Sequence, residues 1–274
     1  MKKLTLPLMV VAFILLACSI TPAPPTKPPV TEPPVTEPPV TEPPVITNVT
    51  CNELSLYLDP ALAASYDCQF VQESPYEMEM YPAHTELTLH GYILADKFFI
   101  PHISVYPVAG YTALLPDVIP GRVAELQAII ASGSIPPFAI SFTSALPFLP
   151  TFPAAQVFYA QEQVLPFMSG SGIRFMTEYA QYYAPVNNHD LFYTYQGLTS
   201  DGLNCVSAIL PVNHPMLPAN ADNPPGGVSW EDFSNNYDPY ITDMVFQLNT
   251  QPPDSYIPTL FALDALVSSI TITP

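Results

Sequence analysis

The residues with the types and spacing for chemistry begin with a run in which His84, Glu86, Thr88 and His90 recur at every second position, with Leu87 and Leu89 between them. Such alternation places the four polar residues on one face of a β-strand and the leucines on the other. His102, in the next strand-like segment, would lie across from them. Three imidazoles and a carboxylate are donors enough for zinc or copper. The run lacks the tight His-x-His or HExxH spacing of a built metal site, and a half-exposed strand carries polar residues on its wet face anyway. A metal held by His84, Glu86, His90 and His102 is therefore the alternative reading.

Ser171, in Gly170-Ser171-Gly172, has the look of a nucleophile. The elbow motif Gly-x-Ser-x-Gly needs glycine where Ser169 stands, and a strand-to-helix turn where two strands are expected. A hairpin turn is the simpler expectation. His189 and Asp190 sit together in a loop after Pro185, yet nothing in the sequence places a serine beside them, so no triad is assigned. Arg174 lies mid-strand among aromatic neighbours, and Glu178, four residues on, shares its face. A structural ion pair between Arg174 and Glu178 is expected. Tyr179, Tyr182, Tyr183, Tyr193 and Tyr195 suit either a stacking platform for sugars or ordinary sheet packing. Asp222 and the pair Glu231-Asp232 lack the ligand spacing of a calcium loop. No motif implies a cofactor.

The elements that must carry these residues are well punctuated. Alternation predicts strands over 86–92 and 100–107, and Pro120-Gly121 opens a helix over 122–131 that Gly133 stops. Residues 134–154 are proline-rich and read as an apolar loop. Four strands follow, over 155–165, 172–182, 191–197 and 203–212, the last two joined at Asp201-Gly202 in a hairpin. Asp238-Pro239 predicts a helix over 239–248, Pro258 precedes another over 259–267, and 269–272 is strand-like. This order is antiparallel α+β rather than doubly wound α/β.

The order of elements, with His102-Ile103-Ser104-Val105-Tyr106 ahead of a helix and 263–272 at the end, resembles the PsbP-like fold, an antiparallel sheet flanked by helices. Gly170-Ser171-Gly172-Ile173-Arg174-Phe175, Asn187-Asn188-His189-Asp190-Leu191-Phe192-Tyr193, Gln196-Gly197-Leu198-Thr199-Ser200-Asp201-Gly202 and Ile209-Leu210-Pro211-Val212 are similar to a family of uncharacterised lipoproteins from Chloroflexota-type bacteria, over roughly residues 54–218. That resemblance implies a shared exported fold and brings no catalytic residues.

The N-terminus agrees with export. Lys2 and Lys3 precede an apolar run over 4–16, too short for the ~20 residues of a membrane span. Leu15-Leu16-Ala17-Cys18 resembles the lipobox of bacterial lipoproteins, which implies a signal peptide over 1–17 and a lipid anchor on Cys18. Between 18 and 50 the Thr-Glu-Pro-Pro-Val repeat fixes φ and removes amide donors, so a disordered polyproline II tether with a reach of up to roughly 100 Å is expected. Residues 51–274 then form one globular domain.

About half of the 274 residues are hydrophobic, enough for a substantial core, and the formal net charge is −18. Only Lys97, Arg122 and Arg174 are fixed cations in the domain, which excludes nucleic acid as a partner. An anionic membrane surface would repel it, as suits a head held away on a stiff tether. Outside the cytoplasm thiols tend to oxidise. Cys51 and Cys68 flank what reads as a helical stretch over 54–65 and are the preferred disulfide, with Cys205 a buried free thiol; Cys205 paired with either is the other possibility. The expected function is a membrane-anchored extracytoplasmic lipoprotein, in the cell membrane or envelope, presenting a non-catalytic domain to a protein or envelope glycan. The alternative is a metal-dependent enzyme or metal-binding protein built on the histidine-bearing strands.

Overall fold

A computed structural model describes residues 47–76, 80–140 and 145–273. The signal, the lipobox with Cys18 and the proline repeats lie outside the described residues. Among these residues ten strands form two antiparallel sheets. The large sheet has the order β3 (Ala63–Val71), β4 (His84–Tyr92), β5 (His102–Pro107), β9 (Asn204–Pro211), β8 (Phe192–Thr199), β7 (Gly170–Ala180), β6 (Ala155–Phe167). The small sheet has the order β1 (Thr47–Cys51), β2 (Leu54–Leu58), β10 (Thr271–Ile272). Five α-helices complete the fold: α1 (Val108–Leu114), α2 (Ile119–Ser132), α3 (Trp230–Asn235), α4 (Tyr237–Thr250) and α5 (Leu260–Ser268).

Period-two alternation buries both faces of the large sheet, each against a different layer. On one face Leu87, Leu89, Ile103, Val105, Val206, Tyr193 and Met176 pack with Leu54 and Leu56 of the small sheet and with Ile241, Leu248, Leu260 and Leu263 from α4 and α5. On the other, Tyr106, Phe175, Phe192 and Ile209 meet Tyr111 of α1, Leu126 and Ile129 of α2, and Phe148 and Leu149 of the loop before β6. The sheet is thus the middle of three layers, the α+β arrangement expected of the element order.

Local signals account for most boundaries. α2 ends where Gly133 turns left-handed at φ 64° and donates its N–H to Ile129 and Ile130, a conformation that costs glycine little. Thr259 caps α5 by accepting from the Ala262 N–H. The hairpin from β8 to β9 turns on Gly202 at φ 72°, with Asp201 accepting from Thr199 and from the Leu203 N–H.

Three expectations need correction. The stretch 54–65 is not helical: Leu54, Leu56 and Leu58 alternate inward as β2, and Asp59-Pro60 turns the chain into β3. Its leucine period is two, which a strand satisfies and a helix does not. The structured domain also begins earlier than residue 51. Proline ends at Pro44, and Thr47–Cys51, with every amide available, pairs with β2. The helix read from Asp238-Pro239 starts sooner, at Tyr237, with Asp238 in its first turn, while α1, α3 and β3 carry no signal that the punctuation captured.

Candidate functional site

The histidine run occupies β4 as its spacing requires, facing away from Leu87 and Leu89. Ladder register extends this polar face to both neighbours: Asp67 of β3, Thr88 of β4 and His102 of β5 form one row, and Gln69, Glu86 and Ser104 the next. Ser65, Asp67, Gln69 and His90 are exposed; Glu86, Thr88 and His102 are half-buried. This end of the sheet is an open polar corner.

The corner does not assemble the metal set His84, Glu86, His90 and His102. A strand rises about 3.3 Å per residue, so His84 and His90 stand roughly 20 Å apart and one ion cannot reach both. His84 is buried, its Nδ1 bonded to the Pro82 carbonyl at 2.8 Å and its Nε2 3.9 Å from Glu86; His102 bonds the Ile100 carbonyl. Among the described residues no group of three or more His, Cys, Asp or Glu is arranged to hold a metal. The His84 imidazole, with His102 and Thr88 adding to it, holds the Glu86 carboxyl below its ordinary range against the effect of burial. Glu86 is therefore a fixed negative charge in the corner.

Arg174 is not paired with Glu178. Both side chains point to the same face of β7, but four residues of strand separate them by about 13 Å. The guanidinium Nε instead lies 3.2 Å from Asp264 of α5, while Nη1 donates to the Gln161 carbonyl and Nη2 to Gln163 Oε1 at 2.9 Å. Gln161 is available because β6 is irregular there, with Gln161 at φ 57° and a register shift against β7 between residues 160 and 163. Tyr193 also donates to Asp264, at 2.9 Å. Burial nonetheless raises the Asp264 carboxyl above its ordinary range, with Arg174 and Tyr193 opposing.

Glu178 has a separate environment. It is 1% exposed, accepts from the Asn187 N–H at 2.7 Å, and has no hydrogen-bond partner for Oε2. Burial pushes its carboxyl well above the usual range, Asn187 opposes this, and the nearby Asp190 adds to it. Asn187 in turn donates to Asp190 Oδ2 and accepts from the His189 and Asp190 N–H groups, fixing a tight turn. There His189 Nδ1 lies 2.6 Å from Asp190 Oδ1, and the exposed Phe98 meets the imidazole edge-on at 6.2 Å. The dyad has the orientation of a base held by a carboxylate, but among the described residues no hydroxyl or thiol is bonded to it.

The structure adds a histidine–serine pair that the sequence reading did not single out. His214 Nδ1 accepts from the Met216 N–H, so Nε2 carries the proton and donates to Ser255 Oγ at 3.0 Å, whose own O–H donates to the Pro252 carbonyl. The proton sits on the wrong side for base catalysis, and the pair joins two loops. Ser171 lies within β7 opposite Leu198, while the turn falls at Met168 and Ser169. Its flanking glycines are packing requirements: a Cβ on Gly172 would stand 2.7 Å from the Tyr195 ring and 2.3 Å from the Gln196 carbonyl. Tyr193 and Tyr195 are fully buried, whereas Tyr182 and Tyr183 are exposed, so the tyrosines do not form one platform.

Cys51 and Cys68 are bonded, linking β1 to β3, and Cys205 is a buried free thiol whose pKa burial pushes up to about 12. β3 is exposed from Ala64 through Phe70. Beside its first half runs an open groove of about 230 Å³ lined by Thr47, Leu58, Pro60 and residues 63–66. Among the described residues the fixed cations are engaged elsewhere: Lys97 with Asn188 and Asn213, Arg122 with Glu125, Arg174 with Asp264. No described helix is long and apolar enough to cross a membrane. No family model, curated protein or solved structure matches the chain.

Proposed function

We propose that this chain is a membrane-anchored extracytoplasmic lipoprotein, held through lipid on Cys18, whose domain is a non-catalytic binding module. The observation that carries the reading is the Cys51–Cys68 disulfide, which suits an oxidising compartment and braces the open β3 edge against the first strand after the tether. A protein or an envelope glycan is the ligand class, since the acidic surface repels nucleic acid. The antiparallel sheet with helices on both faces supports placing the domain in the PsbP-like layout. The resemblance to Chloroflexota-type lipoproteins belongs to the same reading.

The test is metabolic labelling of cells with a tagged fatty acid, followed by protease treatment of intact spheroplasts. The wild-type chain should take up label and be cleaved from outside, whereas Cys18→Ser should stay unlabelled with its signal uncut. Equal labelling of the two would remove the lipoprotein reading.

A further inference from the structure

Sheets normally protect their edges with proline, lysine, a bulge or a covering helix. β6, at the opposite edge, follows this rule: it has two register shifts against β7 and contains Pro166, and the Gln161 N–H is taken by Asn249 of α4 at 2.5 Å. β3 does not. Its nine residues contain no proline, lysine or glycine and pair with β4 without a register shift.

The free peptide groups can be assigned. In an antiparallel strand the N–H and C=O of one residue point to the same side and alternate along the chain. The Leu89 N–H bonds the Pro101 carbonyl, so Leu87 and Leu89 direct theirs to β5, and Glu86, Thr88 and His90 to β3. Their partners Gln69, Asp67 and Ser65 face back. Among the described residues, the peptide groups of Tyr66, Cys68 and Phe70 are left at the open edge.

Side chains divide the same edge by chemistry. Tyr66 and Phe70, 39% and 60% exposed, extend the face of Leu87 and Leu89. Ser65, Asp67 and Gln69 stand on the other face, next to Glu86. Asp59 and Glu73 flank the strand, and residues 47–96 contain no lysine or arginine at all.

We propose that β3 is a docking edge for an extended segment of a partner protein in which apolar residues alternate with lysine or arginine. The segment adds as an eighth strand on the Tyr66, Cys68 and Phe70 peptide groups, its apolar side chains lie over Tyr66 and Phe70, and its cations face Asp67 and Glu86. A second copy of this chain fits less well, because antiparallel pairing of two β3 strands brings two copies of Asp67 and its acidic neighbours together without a cation. The proposal rests on the reading of the domain as a binding module and names its partner.

The experiment uses the full chain in detergent and a fluorescent ten-residue peptide alternating valine and lysine. Anisotropy should report saturable binding that weakens with salt, together with slowed hydrogen exchange at Tyr66, Cys68 and Phe70. A valine–glutamate peptide should not bind. Tyr66→Pro removes an outward N–H and leaves the bonds to β4 in place, so it should weaken binding at least tenfold; Asp67→Lys should do the same at low salt while leaving the backbone edge intact. If Tyr66→Pro fails to fold, Asp67→Lys and the charge-reversed peptide decide the question. Absence of valine–lysine binding, binding indifferent to both substitutions, or a dimer of the chain abolished by Tyr66→Pro would each overturn the assignment. Labelling of Cys18 is measured separately, so a failed peptide with intact lipidation rejects the partner and leaves the anchored binding module standing.

Discussion

Among the described residues, no basic side chain forms an ion pair with the Glu178 carboxyl. One oxygen receives the Asn187 N–H, the other has no partner, and Asp190 lies near. Its folded pKa therefore lies above the ordinary 4.5, and the folded chain keeps a proton that the unfolded chain releases. The sign follows from linkage: this contribution is fully present below about pH 4.5 and is lost as pH rises toward the folded pKa. Glu178→Gln copies the neutral carboxyl without the proton and should raise the unfolding midpoint at pH 7, with the gain shrinking to nothing near pH 4. Thermal denaturation of both proteins across that range checks it, and a glutamine variant less stable at pH 7 would show that the ionised form is the native one. The sequence placed Glu178 on the correct face of its strand. Its environment depended on Asn187 and Asp190 returning over it, which residue spacing does not report.

At the level of elements, what was legible had a period or a cap. β4 to β9 follow from alternation and from turns such as Asp201-Gly202, and α2 and α5 from Gly133 and Pro258. β3 does alternate, with Ser65, Asp67 and Gln69 polar and Tyr66, Cys68 and Phe70 apolar, but the reading of 54–65 as helical took its first residues and hid the short period-two run that follows. The partner of Arg174 was hidden for another reason, since Asp264 arrives from α5, far along the chain. Arg174 thereby joins three elements, the irregular β6, β7 and α5. Arg174→Met keeps much of the volume but leaves Asp264 without its cation, which should cost about 3–5 kcal/mol at pH 7. Asp264 already titrates above its ordinary range and loses the Arg174 attraction in the variant, so part of the loss should return in mildly acidic buffer. Chemical denaturation at two pH values tests both parts. A variant as stable as wild type at pH 7 would mean that the guanidinium does not fasten α5 to the sheet.

Across the whole molecule, composition was the best guide: a domain with few cations and abundant aromatics forms a three-layer core, with Arg174 buried at Asp264 and Lys97 held by Asn188 and Asn213. The metal set was misleading at this scale, because sequence alternation fixes a shared face and says nothing of the span along it. The disulfide closes a sequence separation of 17 residues, for which chain-entropy arguments give about 3 kcal/mol. Replacing Cys51 and Cys68 together by serine should lower the melting temperature by on the order of 10 °C in a domain of this size, and a calorimetric midpoint within a degree or two of wild type would contradict that estimate.

The position of that bond has a mechanical consequence. If the proposed anchor on Cys18 and the proposed partner on β3 pull against each other, the tension runs from Thr47 along β1 and into β3. Without the bridge, the load would run along the backbone through β2 and the Asp59-Pro60 turn, and the β1–β2 ladder would have to hold against it. With Cys51 joined to Cys68, it passes from one strand to the other through a covalent link, and the helices, the buried Arg174 and the rest of the large sheet lie outside the line of force.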